Sequence, residues 1–544
     1  MSRVLAIGID GATSDLIRPW ADDGDLPNLA RLMAQGAYGP LESTLPPVTS
    51  PAWPTFATGK NPGKHGVFDF IRPLGGRFEL VNASSLRAPT LWQILSRAGR
   101  KVGIMNVPVT YPPQPVNGFI IGGMLSPMTG DFTYPTRFLD QYAKQLEPYR
   151  IAPDVQYKPG NEEGFLADLL DLVDRRGQYA LRLMEDHPSD FSMFHFQATD
   201  VLQHALWKLI DPSHPRYDRK LAARFGPSFK RVYQRIDSYI GRMLERVGDD
   251  ATVIVMSDHG FGSLINSINL NLFLLEKGLM KLKRGAWTRL KANLFNAGLT
   301  PASIWRLIEG AGLQNYVWQV SKSARNKVVS KFLSFDDVDW SRTIAYSIGH
   351  VGQIYINLKG REPEGIVESG AQYEAALQRV IEALEELRHP ETGEPMVDQV
   401  IAGREVVHGP YASRSADLHL VLDGYRAIAF PLFAADRHVV TGQIRGDSGC
   451  HRRHGILIAW GAGVRADQAI RGAHIMDLAP TILHLMGLPV PEDMDGHVLT
   501  SALSIDRPVE YESVETIEAG AEGGLSHEET AEVEERLRSL GYLG

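Results

Sequence analysis

Asp10 closes an apolar run at residues 4–9. Asp200 and His204 follow the run at 191–196, and Asp258 and His259 follow the run at 252–256. His451 stands just ahead of the run at 456–459. Each run reads as a β-strand, and the carboxyl ends of strands in an open α/β sheet share one crevice. Residues hundreds of positions apart can therefore meet there. Three carboxylates, three imidazoles and one hydroxyl, Thr49, suit two divalent metal ions flanking a nucleophile. The chemistry such a set supports is metal-assisted hydrolysis of phosphoryl esters.

Each motif also has a plainer local reading. Asp10 lies in Gly8-Ile9-Asp10-Gly11, where an Asp often caps the next helix. Thr49-Ser50-Pro51 stands near a helix start, and either hydroxyl could cap that helix. A metal-bound hydroxyl there would instead be activated as an alkoxide. Asp200 and His204 are four residues apart, so a helix places both on one face, where they can share one metal. Asp258-His259-Gly260 ends a wholly apolar strand, and two polar side chains there are costly without partners. In Gly449-Cys450-His451-Arg452-Arg453-His454-Gly455, His451 and His454 are both candidate ligands, and the softer thiolate of Cys450 a weaker one. Lys60-Asn61-Pro62-Gly63-Lys64-His65-Gly66 resembles a phosphate loop, but its glycine spacing is not that of a nucleotide P-loop. His65 reads as structural.

The elements that must position these residues alternate strand and helix through the first 270 residues. Helices are expected at 26–35, 90–97 and 164–186, and strands at 4–9, 102–107, 191–196 and 252–256. That alternation favours a mostly parallel sheet with helices on both faces. Residues 281–334 hold ten Lys or Arg and one acid, Glu309. With Trp287, Trp305 and Trp318 they read as an inserted helical cap. Mixed structure returns at 344–425, and 455–500 reads as the last part of the core. The expected division is a first core part at 1–270, a basic cap at 271–345, the remaining core with a small insert at 346–500, and a tail at 501–544. The last forty residues hold eleven acids and three arginines. They end in a helix whose Ser526 and Glu529 have the spacing of a capping box. Val533, Leu537 and Leu540 form its apolar stripe, and Gly541 is a candidate for its left-handed end.

Composition bounds the rest. With 44 % hydrophobic and 22 % charged residues, the chain can bury a large core. A net charge of −8 speaks against a stable nucleic-acid complex. The single cysteine, Cys450, precludes an internal disulfide. The chain opens directly into a strand, and no apolar run is long enough to span a membrane. A cytoplasmic protein is the expectation from these features.

Taken together, the motifs resemble the alkaline phosphatase superfamily, and within it the type I phosphodiesterase/nucleotide pyrophosphatase branch. The matching pieces are Gly8 to Gly11, Thr49-Ser50-Pro51, Thr58-Gly59, Pro62 to Gly66, Asp200 to His204, Ser257 to Gly260, Gly449-Cys450-His451 and Asp477 to Thr481. They follow the family's order from residue 8 to about 500. The resemblance implies an alkaline-phosphatase-like α/β fold and two zinc ions. One zinc would be held by Asp200, His204 and His451, the other by Asp10, Asp258, His259 and Thr49. Thr49 would be the nucleophile of a phospho-threonine intermediate, and the substrate a small phosphate ester, with nucleotides among the candidates. Two departures stand out. Phe70 occupies the place of a phosphate-contacting Asn, for which Asn106 is a substitute candidate. Trp53 stands where sulfatase relatives need an arginine.

A phosphodiester is preferred because the core motifs offer no arginine for the extra charge of a monoester. The alternatives are a phosphomonoesterase of the same superfamily and a non-catalytic metal- and anion-binding relative. A phosphosugar mutase would need a serine in place of Thr49.

Overall fold

The computed structural model describes residues 3–74, 77–248, 250–300, 303, 307, 332–429, 436–443, 446–513 and 525–539. Residues 301–302, 304–306 and 308–331 of the basic stretch at 281–334, and Leu540 and Gly541 of the terminal helix, lie outside the described residues. The chain forms two compact units. The first comprises 1–263, 407–414 and 447–543; the second comprises 264–406 and 415–446.

The first unit is built on a 10-stranded sheet. In chain order its strands, with one outlying pair, are β1 (Arg3–Ile9), β2 (Ala37–Glu42), β3 (Val102–Met105), β4 (Gly118–Ile121), β5 (Thr133–Tyr134), β6 (Phe191–Phe196), β7 (Ala251–Met256), β8 (Gly260–Ser263), β9 (Gly449–Arg452), β10 (His454–Gly461), β11 (Gln468–Ala469) and β12 (Ala473–His474). The order across the sheet is β11-β2-β10-β7-β1-β6-β3-β4-β5, with β12 also on β2. Strands β7, β1, β6, β3 and β4 run parallel. Their runs are almost continuously apolar because helices cover both faces, as buried parallel strands require. This is the mixed α/β architecture expected from the sequence.

Topology explains how distant residues reach one edge. Parallel strands β1, β6 and β7 all end on the same side, so the residues after Ile9, Phe196 and Met256 emerge together. Strand β10 is antiparallel to β7 and to β2. It therefore begins on that side, and β2 ends there. The chain before His454 and the chain after Glu42 thus arrive at the same crevice. From β2 a short loop leads into helix α2 (Thr49–Thr58), after helix α1 (Pro27–Gln35) has crossed back over the sheet.

Helix α3 (Ala198–Leu206) follows β6 after a single residue, Gln197. Helix α4 (Arg219–Val247), not foreseen from the sequence, is amphipathic, burying Phe229, Tyr233, Ile236 and Ile240. It supplies α1 with a cap from elsewhere in the chain. Helix α1 begins after Leu26, which offers no side-chain acceptor. Buried Asp237 of α4 accepts instead from the N–H of Leu29 at 2.8 Å and of Asn28 at 3.1 Å. The terminal helix His527–Ser539 buries Val533 and Leu537. Its Glu529 accepts from the Tyr111 hydroxyl at 2.7 Å, and Glu532 from the Met128 N–H at 2.7 Å.

The second unit holds a four-stranded sheet, a three-stranded sheet and a helix at Ala371–Leu384. Its core includes Leu270, Ile354, Ile356, Val380, Leu418 and Leu420. Helix α5 (Ala286–Asn296) is anchored by the buried Lys291–Asp337 pair at 2.9 Å.

Asp237→Ala removes the acceptor for two N–H groups at a helix start. It is expected to cost about 2 kcal/mol, read as a lower unfolding midpoint with metal content unchanged.

Candidate metal centre

Two groups of side chains converge at the carboxyl edge of the sheet: Asp200 with His204 and His451, and Asp10 with Asp258 and His259. Their positions follow from local structure. Asp10 is the first residue past β1. Gly8 leaves room for Trp53, since a Cβ there would lie 2.5 Å from the indole, and Gly11 turns the chain at φ 66°. Asp200 and His204 lie on one face of α3. Asp258 and His259 bridge β7 and β8, and His451 lies in β9, opposite Phe261 of β8.

In the first group, His204 Nε2 lies 2.9 Å from His451 Nε2, and both lie 3.4 Å from Asp200 Oδ1. In the second, His259 Nε2 lies 3.2 Å from Thr49 Oγ1, 3.3 Å from Asp258 Oδ2 and 3.5 Å from Asp10 Oδ1. The groups adjoin, because the rings of His259 and His451 stack at 3.6 Å between centroids.

Three observations fit these groups to divalent cations. First, a tetrahedral ion with bonds of about 2.0–2.1 Å has ligand–ligand edges of about 3.3–3.4 Å, close to most of the spacings present. Second, Asp10 Oδ1 and Asp258 Oδ2 are buried and have no hydrogen-bond partner among the described residues. Buried carboxyl oxygens in that condition, once ionised, call for a cation. Third, each imidazole has its Nδ1 against a backbone carbonyl: His451 on Pro47 at 2.8 Å, His204 on Gly449 at 3.1 Å, His259 on Gly260 at 3.1 Å. Donation from Nδ1 fixes the tautomer that turns each Nε2 lone pair inward.

Thr49 is the first residue of α2, whose start has no side-chain cap. Its hydroxyl thus meets His259 rather than capping the helix. The positive end of the helix faces the same place, a setting that favours an anion. Ser50 is buried, and its hydroxyl has no hydrogen-bond partner among the described residues. Asn106 sits behind Asp10: its carboxamide meets the Tyr149 hydroxyl at 3.3 Å and His195 Nδ1 at 3.2 Å. Phe70 is buried. Cys450 Sγ meets the Ser263 carbonyl, and His454 is exposed. Lys60 pairs with Asp493, and Lys64 with Asp495 at 2.6 Å. His65 is buried against Thr55 Oγ1 at 2.9 Å.

Two residues went unnoticed in the sequence. His195 lies inside β6, with Nε2 2.9 Å from Asp10 Oδ2 and Nδ1 2.8 Å from the Asn106 carbonyl. A histidine within an apolar strand was its only signal. Phe261 packs on the His204 ring at 4.8 Å and the His451 ring at 5.4 Å, holding both in place. Nothing in its local sequence marks that role.

The electrostatics agree with the geometry. Burial, then the charges of Asp258 and Asp200, pushes Asp10 well above the usual carboxylate range. Burial and Asp200 push Asp258 up to about 7. Burial would raise Asp200 too, but His204 and His451 outweigh it and hold that carboxyl low. Burial lowers His195 to about 3, so it is neutral. With its one N–H given to the Asn106 carbonyl, its Nε2 accepts a hydrogen bond from protonated Asp10 in the metal-free protein.

The sign of the pH dependence follows. A carboxyl raised on folding holds its proton longer in the native state, so the metal-free protein loses stability as pH rises from about 4 to about 7. Cation binding must displace those protons. Calorimetry in buffers of differing ionisation enthalpy is expected to show more protons released per metal at pH 6.5 than at pH 8.5. Equal release at both would contradict the protonated pair.

Comparison with known proteins agrees with the fold. Human ectonucleotide pyrophosphatase/phosphodiesterase 5 superposes with a TM-score of 0.50 at 15 % identity, covering 93 % of this chain and 100 % of that one. Phosphonoacetate hydrolase from Sinorhizobium meliloti 1021, in complex with phosphonoacetate, gives 0.50 at 14 %, covering 88 % and 94 %. No curated protein matches the sequence. The cytoplasmic location expected from the sequence does not stand, because one of these similar structures is by name an ecto-enzyme. A lone cysteine shows that the fold needs no disulfide; it does not report a compartment. No helix among the described residues is long and apolar enough to cross a membrane. Residues 4–455 match the family described as type I phosphodiesterase / nucleotide pyrophosphatase. The chain belongs to that family of the alkaline phosphatase superfamily and is a metal-dependent phosphoric-ester hydrolase.

Proposed function

We propose that this chain is a di-zinc phosphodiesterase in which Thr49 is the nucleophile, with nucleotide-type diesters and pyrophosphates as the substrate class. The observation that carries the reading is the Thr49 hydroxyl, 3.2 Å from His259 Nε2 and so within the second ligand group. Asp200, His204 and His451 would hold one ion; Asp10, Asp258, His259 and Thr49 would hold the other. Two zinc ions so held would lower the pKa of the threonine hydroxyl and offset charge on the attacking and leaving oxygens.

Thr49 Oγ1 forms the bond to phosphorus as the ester oxygen departs on the opposite side. The Thr49 proton leaves with that oxygen, and the intermediate is a phospho-threonine that still carries the other ester group of the diester. Water then attacks the same phosphorus, the bond to Thr49 breaks, and the hydroxyl is restored. The helix start beneath Thr49 directs its N–H groups toward the phosphoryl oxygens. The Gly11 N–H, 3.2 Å from Asp258 Oδ1, aims that carboxylate, and once Asp10 is ionised His195 would donate to its Oδ2 from Nε2 while Nδ1 accepts from the Asn106 carboxamide.

Diester preference rests on charge. A monoester brings one more negative charge on the transferred group, and enzymes meet it with further cations. Here the cations in and beside the core motifs are engaged elsewhere: Lys60 and Lys64 with aspartates, Arg453 with Glu42, Arg452 with the Ser263 carbonyl. The zinc assignment rests on the donor set of imidazole nitrogens and carboxylate oxygens in tetrahedral spacing.

Thr49→Ala is expected to lower turnover by at least roughly a thousandfold while two metal ions per chain remain by elemental analysis. Near-normal turnover would remove the threonine from the chemistry. With the zinc-loaded protein, bis(4-nitrophenyl) phosphate is expected to turn over faster than 4-nitrophenyl phosphate. The reverse order would assign a phosphomonoesterase, and no turnover of either a binding protein.

A further inference from the structure

A surface of the second unit has no part in the chemistry above. Helix α5 is fixed by its buried side: Lys291 pairs with Asp337, Thr288 donates to Asp337 Oδ1 at 3.0 Å, and Phe295 is buried. Roughly a quarter turn around the helix, Trp287, Leu290 and Leu294 stand at i, i+3 and i+7. They are 61 %, 46 % and 42 % exposed, and Leu299 just beyond is 50 % exposed. Large apolar side chains rarely gather on one exposed helix side without a partner.

The charge around this stripe identifies the partner. Lys281, Lys283, Arg284 and Arg289 are all exposed. None forms an ion pair among the described residues; Lys283 donates to the Asp336 carbonyl at 2.8 Å. From residue 277 to 300 there is no Asp or Glu. The chain as a whole carries −8, so attraction to an anionic surface is confined to a patch of this kind. A short helix with Trp and Leu outward, bordered by exposed Lys and Arg, has the composition of an interfacial helix. An indole favours the headgroup level, where an apolar ring and a polar N–H are both accommodated.

We infer that α5 and its flanking cations rest on the anionic headgroup surface of a lipid bilayer, with Trp287, Leu290 and Leu294 entering the acyl boundary. The contact is peripheral and reversible. The cations supply long-range attraction, which salt screens; the apolar stripe supplies the part that salt does not remove.

Co-sedimentation of the full chain with vesicles tests this. Binding is expected to vesicles of roughly 70:30 phosphatidylcholine and phosphatidylserine and not to phosphatidylcholine alone. It should fall roughly tenfold between about 0.1 M and 0.5 M salt. The double variant Trp287→Ser, Leu290→Ser should bind roughly tenfold more weakly, with its circular dichroism and its hydrolysis of soluble ester unchanged. Leu294→Ser alone, the milder change, should weaken binding in the same direction. Failure of the wild type to pellet with the mixed vesicles overturns the inference. So does undiminished binding of the apolar variants when Lys283→Glu, Arg284→Glu abolishes it, since the contact would then be electrostatic only. A fall in oligomeric mass of the double variant by light scattering would mean that a second copy of this chain covers the stripe, and would likewise overturn it.

Discussion

Three carboxylates share one buried crevice, and the rest of the first unit is arranged around that constraint. Asp10, Asp200 and Asp258 are all at most 1 % exposed. Removing one ionised carboxylate from water is costly, and like charges nearby add to the cost. Without a cation, Asp10 and Asp258 retain protons at pH values where free carboxyls have lost them. A fold that carries such a set has placed affinity for cations above its own stability in their absence. The large apolar core beside the sheet, with Trp53, Phe56, Phe191 and Met193, permits this.

The burden of aiming the candidate ligands falls on neutral groups. Backbone carbonyls of Pro47, Gly449 and Gly260 orient the three imidazoles. Phe261 wedges against two of those rings, and His195 steadies Asp10 from behind. None of these partners adds net charge, so they set direction without competing for the cation. Charged partners serve farther out. Asp495 receives Lys64 and His408 and the Asn61 N–H, tying the turn after α2 to the chain near 495. That attachment fixes the far end of the helix whose first residue is Thr49.

Much of this was legible in the sequence, for identifiable reasons. The strands β1, β6 and β7 are runs of consecutive apolar residues, a pattern that parallel burial imposes and that survives without any structural context. The polar residues at their ends stand out against such runs, so Asp10, Asp200, Asp258 and His259 could be singled out one by one. The short strands β2 and β4 carry no such contrast and went unread. The long helix α4 was also missed, and with it the Asp237 cap, because a cap given by another helix leaves no local capping motif. His195 was passed over because it belongs to the strand itself, where its partner lies 185 positions away.

Sequence by itself determined the chemical inventory and its strand-end placement: three carboxylates, three imidazoles and a threonine, in a recognisable order. These are local properties of residue type and hydrophobic pattern. Tertiary structure decided which atoms meet. The antiparallel run of β10 between β7 and β2 delivers His451 and Thr49 to the edge where the parallel strands end. The stacking of His259 on His451 sets the two groups side by side. Strand order and register govern those distances, and they arise from long-range pairing that no single segment encodes.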